Sequence, residues 1–243
     1  MKQQSYLPLT ILALLAVTSC QDYAQPERLR RFMAAQKNTA QNTATKKLTA
    51  PSDTAAADTV PLLTHRVVMR TSLGEMVIGL YGKDAPQTVE NFVKLAEKKF
   101  FRGILVHRVA RNFVIQAGDP KTKDKRKKDE WGTGGESAFG EPFPDEIFLD
   151  APSTKIGYKR GTIAMASRSP DANTSQFFIC LRDVPELPQQ FTIFGKVLDG
   201  LDVLDAIGKA EIIPQLNEND GRPVKAIVIK SVAVAKIRPM TQK

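Results

Sequence analysis

Apolar side chains recur at every second position from residue 76 to residue 80, which is the pattern of a half-buried β-strand. A Ser-Leu-Gly-Glu segment just before this run offers a turn, so residues 66–81 are predicted to form a β-hairpin. Other short runs rich in β-branched and aromatic residues predict further strands. These runs cover residues 104–109, 112–117, 161–166, 175–181, 191–197 and 224–235.

Two segments have the periodicity of α-helices. Asp84 and Gln87 stand at capping-box spacing, and apolar residues then recur at intervals of three and four over residues 89–96. Residues 201–207 form the second predicted helix, which Gly208 is expected to end. Two helices among about eight strands predict a mainly β fold with a closed antiparallel sheet, because closure removes exposed strand edges.

The N-terminus has the pattern of an export signal. Lys2 precedes an apolar run over residues 9–17 that is too short to span a bilayer. The run leads into Val-Thr-Ser-Cys, which resembles the lipobox of bacterial lipoproteins. The resemblance implies removal of a signal peptide over residues 1–19 and lipidation of Cys20. An ordinary secretory signal with a chance cysteine is the alternative.

The composition changes between Cys20 and the folded region. Thr, Ala, Gln and Asn dominate residues 20–64, and large apolar residues are sparse. Such a segment buries too little surface to offset its ordering entropy, so it is expected to be a disordered tether behind the lipidated cysteine. The folded domain is predicted over residues 65–238, with residues 239–243 as a C-terminal tail.

Composition excludes several classes of chemistry. The 243 residues include two histidines and two cysteines, and the second cysteine, Cys180, lies in an apolar run typical of a core. Neither a metal site nor a cofactor is therefore expected, and no GxSxG nucleophile motif is present. The net charge of +9 favours anionic partners. Nucleic acid is nevertheless not expected, because the chain carries an export signal and lacks a pattern of stacking aromatic residues.

Seven segments, spread from residue 85 to residue 232, resemble successive signatures of the cyclophilins and occur in the order of that family. The resemblance implies an eight-stranded antiparallel barrel capped by two helices, and peptidyl-prolyl cis-trans isomerase activity. The segments are APQTVENFVKLA (85–96), VHRVARNFVIQAGD (106–119), GTGGESAFGEPFPDE (132–146), GTIAMAS (161–167), SQFFI (175–179), FTIFGKV (191–197) and DGRPVKAIVIKSV (220–232).

Arg108 is the residue that the resemblance implies for the chemical step. X-Pro bonds exchange slowly because rotation breaks the amide resonance, at a cost of about 18–20 kcal/mol. A donor aimed at the prolyl nitrogen binds the twisted amide better than either planar form, and this preference lowers the barrier. The guanidinium is permanently charged, so it needs no base. The implied reaction needs no metal, cofactor or covalent intermediate.

The resemblance also implies roles for the other candidate residues. Gln116, Phe113 and His107 are placed with Arg108 in the catalytic group, with Gln116 bonding a backbone group of the substrate. The remaining positions are expected to bind the substrate, although each also fits an ordinary core or surface position. Phe113 and the substrate-binding residues Val114, Phe178, Leu187 and Phe191 are expected to form the proline socket, and Ala166, Ser167 and Gln176 to line the peptide groove.

Two functions of different classes fit these residues. The first is an isomerase that acts on proline-containing segments of exported proteins. The second is a non-catalytic module or chaperone of the cell envelope that binds the same segments. In both cases the protein is expected to be a monomer, anchored by lipid to a membrane outside the cytoplasm.

Neither function accounts for a basic stretch over residues 121–128. Six of its eight residues are Lys or Arg. Like charges are expected to extend such a segment into solvent. We expect the stretch either to be a solvated loop or to steer acidic segments of substrate proteins or an anionic membrane surface towards the groove.

Overall fold

The computed structural model describes residues 60–237. The predictions of a signal peptide, a lipidated Cys20 and a C-terminal tail fall on residues outside this range, as does most of the predicted tether. Within residues 60–237 no helix is long and apolar enough to cross a membrane.

One antiparallel sheet dominates the described part of the chain. Its ten strands lie in the order β10-β1-β2-β7-β5-β6-β4-β3-β9-β8. They are β1 (His65–Thr71), β2 (Glu75–Leu80), β3 (Arg108–Ala110), β4 (Val114–Ala117), β5 (Thr162–Met165), β6 (Phe177–Cys180), β7 (Ile193–Asp199), β8 (Ile212–Asn217), β9 (Asp220–Pro223) and β10 (Ile229–Lys236).

The mainly β prediction is confirmed, but the closed eight-stranded barrel is wrong for residues 60–237. The sheet has ten strands and is not closed, because β10 and β8 end it. The segment before β3 meets the start of β10 through an isolated bridge between Leu105 and Val228 rather than through a ladder. The sequence did not predict β8 and β9, because their mixed polar residues and prolines lack an alternating apolar pattern.

Three α-helices accompany the sheet in the described residues. They are α1 (Pro86–Glu97), α2 (Pro152–Ile156) and α3 (Leu201–Gly208). Both predicted helices are present, and α2 is a short addition. The predicted capping box is absent: the Asp84 carboxylate accepts from the backbone N–H of Ser153 in α2, at 2.8 Å.

The carboxylate of Glu146 caps α1 instead. It accepts hydrogen bonds from the backbone N–H groups of Gln87 and Thr88, at 3.0 and 2.8 Å, and from the Thr88 hydroxyl. These amides belong to the first turn, whose N–H groups have no partner inside the helix. The cap therefore comes from a residue almost sixty positions further along the chain.

Strand alternation divides the apolar side chains into two clusters. Ile115 and Ile179 face the main core, which also holds α1. Val114 and Phe178, their immediate neighbours in β4 and β6, face a second and smaller cluster. Each short strand thus contributes to the core with one face and leaves the other face available for the candidate site.

The stretch around residues 121–128 is folded rather than extended. It lies in the basic loop, residues 120–131, which contains two 3-10 turns over Pro120–Lys123 and Lys125–Glu130. The buried Asp119 carboxylate joins the two ends of this loop, because it accepts from the N–H groups of Lys121 and Gly132. Local hydrogen bonding therefore overcomes the repulsion that the charge pattern predicted.

We predict that Glu146→Ala lowers the free energy of unfolding by about 2 kcal/mol, because the α1 amides lose a charged acceptor. For a domain of this size the melting temperature should fall by about 6 °C, measured by thermal denaturation. Glu141→Ala removes an exposed carboxylate close by in the chain and should leave the melting temperature unchanged. Equal melting temperatures for the two variants would contradict the capping role.

Candidate active site

Four strands bring the central candidate residues into one row. Arg108 of β3 lies opposite Gln116 of β4, and Gln116 lies opposite Phe178 of β6. Ala164 of β5 flanks Phe178 on its other side. Opposed residues in antiparallel strands project to the same face. The turn between β3 and β4 has Asn112 at a φ of 54°, a left-handed conformation that asparagine tolerates well.

The Arg108 guanidinium is buried and held by two neighbours. Its Nε and Nη2 donate to the two carboxylate oxygens of Asp220, at 2.8 and 2.5 Å. Its Nη1 donates to Oε1 of Gln116 at 3.2 Å. The side chains of Arg108 and Asp220 are 8% and 10% exposed, so this ion pair is largely shielded from water.

Gln116 connects the arginine to the adjoining loop. Its Nε2 donates to Oε1 of Gln176 at 2.9 Å. Nε2 of Gln176 donates in turn to the carbonyl oxygens of Gly132 and Gly134, at 3.0 and 2.5 Å. Both glutamines are buried, and this chain of amides fixes their orientation.

The predicted proline socket coincides with the second apolar cluster. Phe178 and Phe191 pack edge to face with their ring centroids 5.5 Å apart. Such a pair gives the cluster a rigid aromatic wall. Val114, Phe178 and Phe191 are buried members of the cluster, while Phe113, Ala166 and Leu187 are partly buried against it.

Tyr158 orients this wall, and sequence reasoning did not single it out. Its hydroxyl donates to the carbonyl oxygen of Phe191 at 2.9 Å and accepts from the N–H of the same residue at 3.0 Å. Its ring also contacts Phe178, with the centroids 6.0 Å apart. Tyr158 lies between two of the recognised segments, so no motif marked it.

The predicted groove residues adjoin the row. The Ala166 N–H donates to the carbonyl oxygen of Gln176 at 2.9 Å, which places Ala166 and the buried Ser167 beside the amide chain. Leu187 lies in a turn where its N–H donates to the Val184 carbonyl oxygen at 3.2 Å. The structure thus gathers the substrate-binding candidates in the second apolar cluster and beside the row, while their roles stay predictions.

His107 is buried beside the row, not within it. The Nδ1 and Nε2 atoms lack hydrogen-bond partners within residues 60–237. Burial lowers the pKa of His107 to about 4, an effect that the nearby Asp119 opposes and Arg108 reinforces. A Cβ built on Gly132 would lie 3.4 Å from the ring, so the residue that follows the basic loop covers this histidine. The ring is therefore neutral at pH 7 and borders the site.

The described residues offer a directed donor but no activated nucleophile at the site. Burial raises the pKa of the Cys180 thiol to about 12, so this group stays protonated. A fixed guanidinium beside an apolar socket suits recognition of an amide whose nitrogen carries an apolar ring. Asp220, which sequence reasoning also missed, completes this arrangement.

Fold and site together define a cyclophilin. The family model of cyclophilin-type peptidyl-prolyl cis-trans isomerases/CLD matches residues 66–234, and the chain belongs to this family. The family prediction made from the sequence is therefore confirmed, and with it the peptidyl-prolyl cis-trans isomerase class of the protein.

Curated relatives support the same assignment. The chain is 38% identical to peptidyl-prolyl cis-trans isomerase ppi1 of Schizosaccharomyces pombe, over 69% of this chain and 98% of the relative. It is 37% identical to peptidyl-prolyl cis-trans isomerase-like 2 of Gibberella zeae, over 68% of this chain but 26% of that longer protein. These relatives are eukaryotic, and they lend no support to a lipoprotein N-terminus.

A solved structure shares the fold. The cyclophilin-type peptidyl-prolyl cis-trans isomerase of Cryptosporidium parvum matches with a TM-score of 0.61 and 28% identity, over 73% of this chain and all of its own. A crystal structure of the same protein in the presence of the dipeptide Ala-Pro matches with a TM-score of 0.60 and 29% identity, over 70% of this chain and 98% of its own.

We predict that His107 makes stability depend on pH. The unfolded chain binds a proton at His107 below about pH 6.5, whereas the folded chain does not until about pH 4, so stability falls as the pH drops through this window. Between about pH 6.5 and pH 5 the free energy of unfolding should fall by about 2 kcal/mol, measured by urea denaturation. His107→Gln should remove most of this slope and the control His65→Gln should retain most of it; the reverse result would contradict the assignment.

Proposed function

We propose that the protein accelerates X-Pro isomerisation by transition-state stabilisation from Arg108. The observation that carries this proposal is the buried guanidinium, held by Asp220 and Gln116 at the edge of an aromatic socket. A charged donor in a largely dry site is stronger than the same donor in water. It can therefore bind the prolyl nitrogen of a twisted amide more strongly than the same nitrogen in a planar amide.

The proposed step follows from amide chemistry. In the planar substrate the prolyl nitrogen shares its lone pair with the carbonyl group and is a poor acceptor. As the bond twists, the lone pair returns to nitrogen, and an N–H of Arg108 donates to it. The interaction is stronger in the twisted state than in either planar state, so it lowers the barrier. No covalent bond to the protein forms, and no proton is transferred.

The socket supplies the binding energy. We assign the proline ring to the surface formed by Val114, Phe178 and Phe191, with Phe113 and Leu187 at its partly exposed edge. Gln116 and Gln176 stand where a peptide backbone would pass, beside Ala166 and Ser167. The crystal structure of the Cryptosporidium parvum relative in the presence of Ala-Pro supports a proline-containing ligand.

We predict that Arg108→Ala lowers kcat/KM for an Ala-Pro peptide by ten- to a hundredfold, because one hydrogen bond from a charged donor contributes about 1.5–3 kcal/mol. A protease-coupled assay or NMR exchange on the peptide measures the rate. Arg102→Ala removes an exposed arginine after α1 and should leave the rate unchanged. Wild-type turnover in Arg108→Ala would exclude the proposed chemistry.

The same assay decides between the two function classes. A non-catalytic binding module would bind the Ala-Pro peptide without accelerating its exchange. The isomerase accelerates exchange in proportion to protein concentration. We favour the isomerase, because the guanidinium is positioned beside the socket rather than extended into solvent.

We further propose that the isomerase domain is anchored by lipid outside the cytoplasm of a bacterium, where it acts on exported proteins. The support is the signal-like N-terminus, the lipobox-like residues 17–20 and the low-complexity segment that follows. Several acyl chains on one cysteine would anchor the protein stably, since each buried methylene contributes about 0.8 kcal/mol.

We predict that Cys20→Ser releases the protein from membranes. Without the thiol the acyl chains cannot be attached, and a tether of this composition has little affinity for lipid. Fractionation of cells into membrane and soluble parts, followed by high-salt washing, measures the change. Cys180→Ser is the matched control, because it alters a buried thiol and should leave the fractionation unchanged. Retention of Cys20→Ser in the washed membranes would contradict lipid anchoring.

A further inference from the structure

Asp220 is fixed relative to Arg108 by the backbone as well as by the ion pair. It begins β9, where it pairs with Ala110 of β3. The adjoining turn is held by a backbone hydrogen bond from Arg111 to Asn219, at 2.8 Å. The backbone of Asp220 therefore holds its short side chain next to the guanidinium of Arg108.

The contact with Asp220 restricts which N–H bonds of Arg108 can reach a substrate. A guanidinium has five N–H donors in one plane. Asp220 takes one from Nε and one from Nη2, and Gln116 takes one from Nη1. Each terminal nitrogen carries one N–H beyond these three. Two parallel bonds to a carboxylate also fix the plane in which these donors lie.

Stability alone does not explain this pair. Burying two charges costs about as much as their attraction returns, so a buried ion pair is weak evidence for a stabilising role. Arg160 and Asp205 also form an ion pair on the surface, where the single Nη2 of Arg160 donates to both carboxylate oxygens at 2.8 and 2.9 Å. The Arg108 pair differs because it lies in the row that holds the socket and the two glutamines.

We propose that Asp220 is a positioning residue, whose carboxylate sets the plane and the donor direction of the Arg108 guanidinium for the twisted amide. The inference rests on the proposed function of Arg108. Asp220 itself does not reach the reacting atoms, so its effect on the reaction passes entirely through the arginine. Its negative charge also leaves the pair neutral, so the groove presents a directed donor without a strong net field.

Asp220→Ala tests the proposal, with Asp205→Ala as the matched control. Loss of the carboxylate frees the guanidinium to rotate, and small misplacements of catalytic groups cost large factors in rate. We expect kcat for an Ala-Pro peptide to fall about tenfold with KM changed less than about twofold. Asp205→Ala should retain wild-type kcat and KM. A wild-type kcat in folded Asp220→Ala would overturn the proposal.

A double-mutant cycle separates positioning from a general structural effect. In the Arg108→Ala background, Asp220→Ala should cause no further loss of the residual rate, because the residue through which it acts is gone. An equal tenfold loss in both backgrounds would overturn the proposal. If the wild type itself fails to isomerise the peptide, the proposed function fails; if the wild type is active and Arg108→Ala is inactive, only the role of Asp220 is in question.

Asp220→Asn keeps the shape of the side chain and one acceptor oxygen. Its kcat should fall by about threefold, less than that of the alanine variant, because one hydrogen bond to the guanidinium remains. An asparagine variant as impaired as the alanine variant would overturn positioning in favour of a pure charge effect. Thermal denaturation shows whether Asp220→Ala is folded. If it is unfolded, Asp220→Asn alone tests the proposal, and a wild-type kcat for Asp220→Asn would overturn it.

Discussion

The buried guanidinium of Arg108 needs hydrogen-bond acceptors around it, and the rest of the site is arranged to supply them. The penalty for burying an unpaired cation amounts to several kcal/mol, so the fold must supply acceptors on more than one side. Asp220 of β9 and Gln116 of β4 do so, because β3 lies between these two strands in the sheet. The strand pair β8–β9, which the sequence did not predict, therefore contributes directly to the candidate site.

The alternation of strand side chains lets the same short segments serve two purposes. In β6, Phe177 and Ile179 pack into the main core, while Phe178 faces the socket. A four-residue strand anchored in the core on one face restrains the residues of its other face. Tyr158 adds the remaining restraint by fixing the backbone of Phe191. Rigidity at the socket is thus a consequence of core packing.

The sequence predicted those parts of the structure that depend on local patterns. Arg108 and Gln116 lie eight positions apart on a short hairpin, and the motif that contains them implied both. Asp220 lies 112 positions from Arg108 and on a strand with no apolar alternation, so nothing local linked the two. The same limit applies to the cap of α1, where Asp84 had the right spacing but Glu146 occupies the site. Tertiary contacts decided each of these cases.

In the basic loop, local ion pairs compensate part of the charge that the sequence pattern shows. Lys121 pairs with Glu130, and Arg126 pairs with Asp124, so part of the charge is compensated locally. Lys125, Lys127 and Lys128 are exposed and have no ion-pair partner among the described residues.

Those three cations belong to the folded basic loop, which contacts β9 of the sheet. The Arg222 guanidinium lies over the Trp131 ring, 5.3 Å from its centroid, and Arg222 follows Asp220 by two positions in β9. Exposed ion pairs contribute little to stability, so the contacts of Asp119 and Trp131, rather than charge compensation, stabilise the fold of the basic loop. The backbone that carries the remaining positive charge is held near β9, and salt screens this charge beyond about 10 Å at 0.1 M. Any attraction of acidic segments of substrate proteins would therefore act on their approach to the groove, whereas the step that we propose depends on the neutral pair of Arg108 and Asp220.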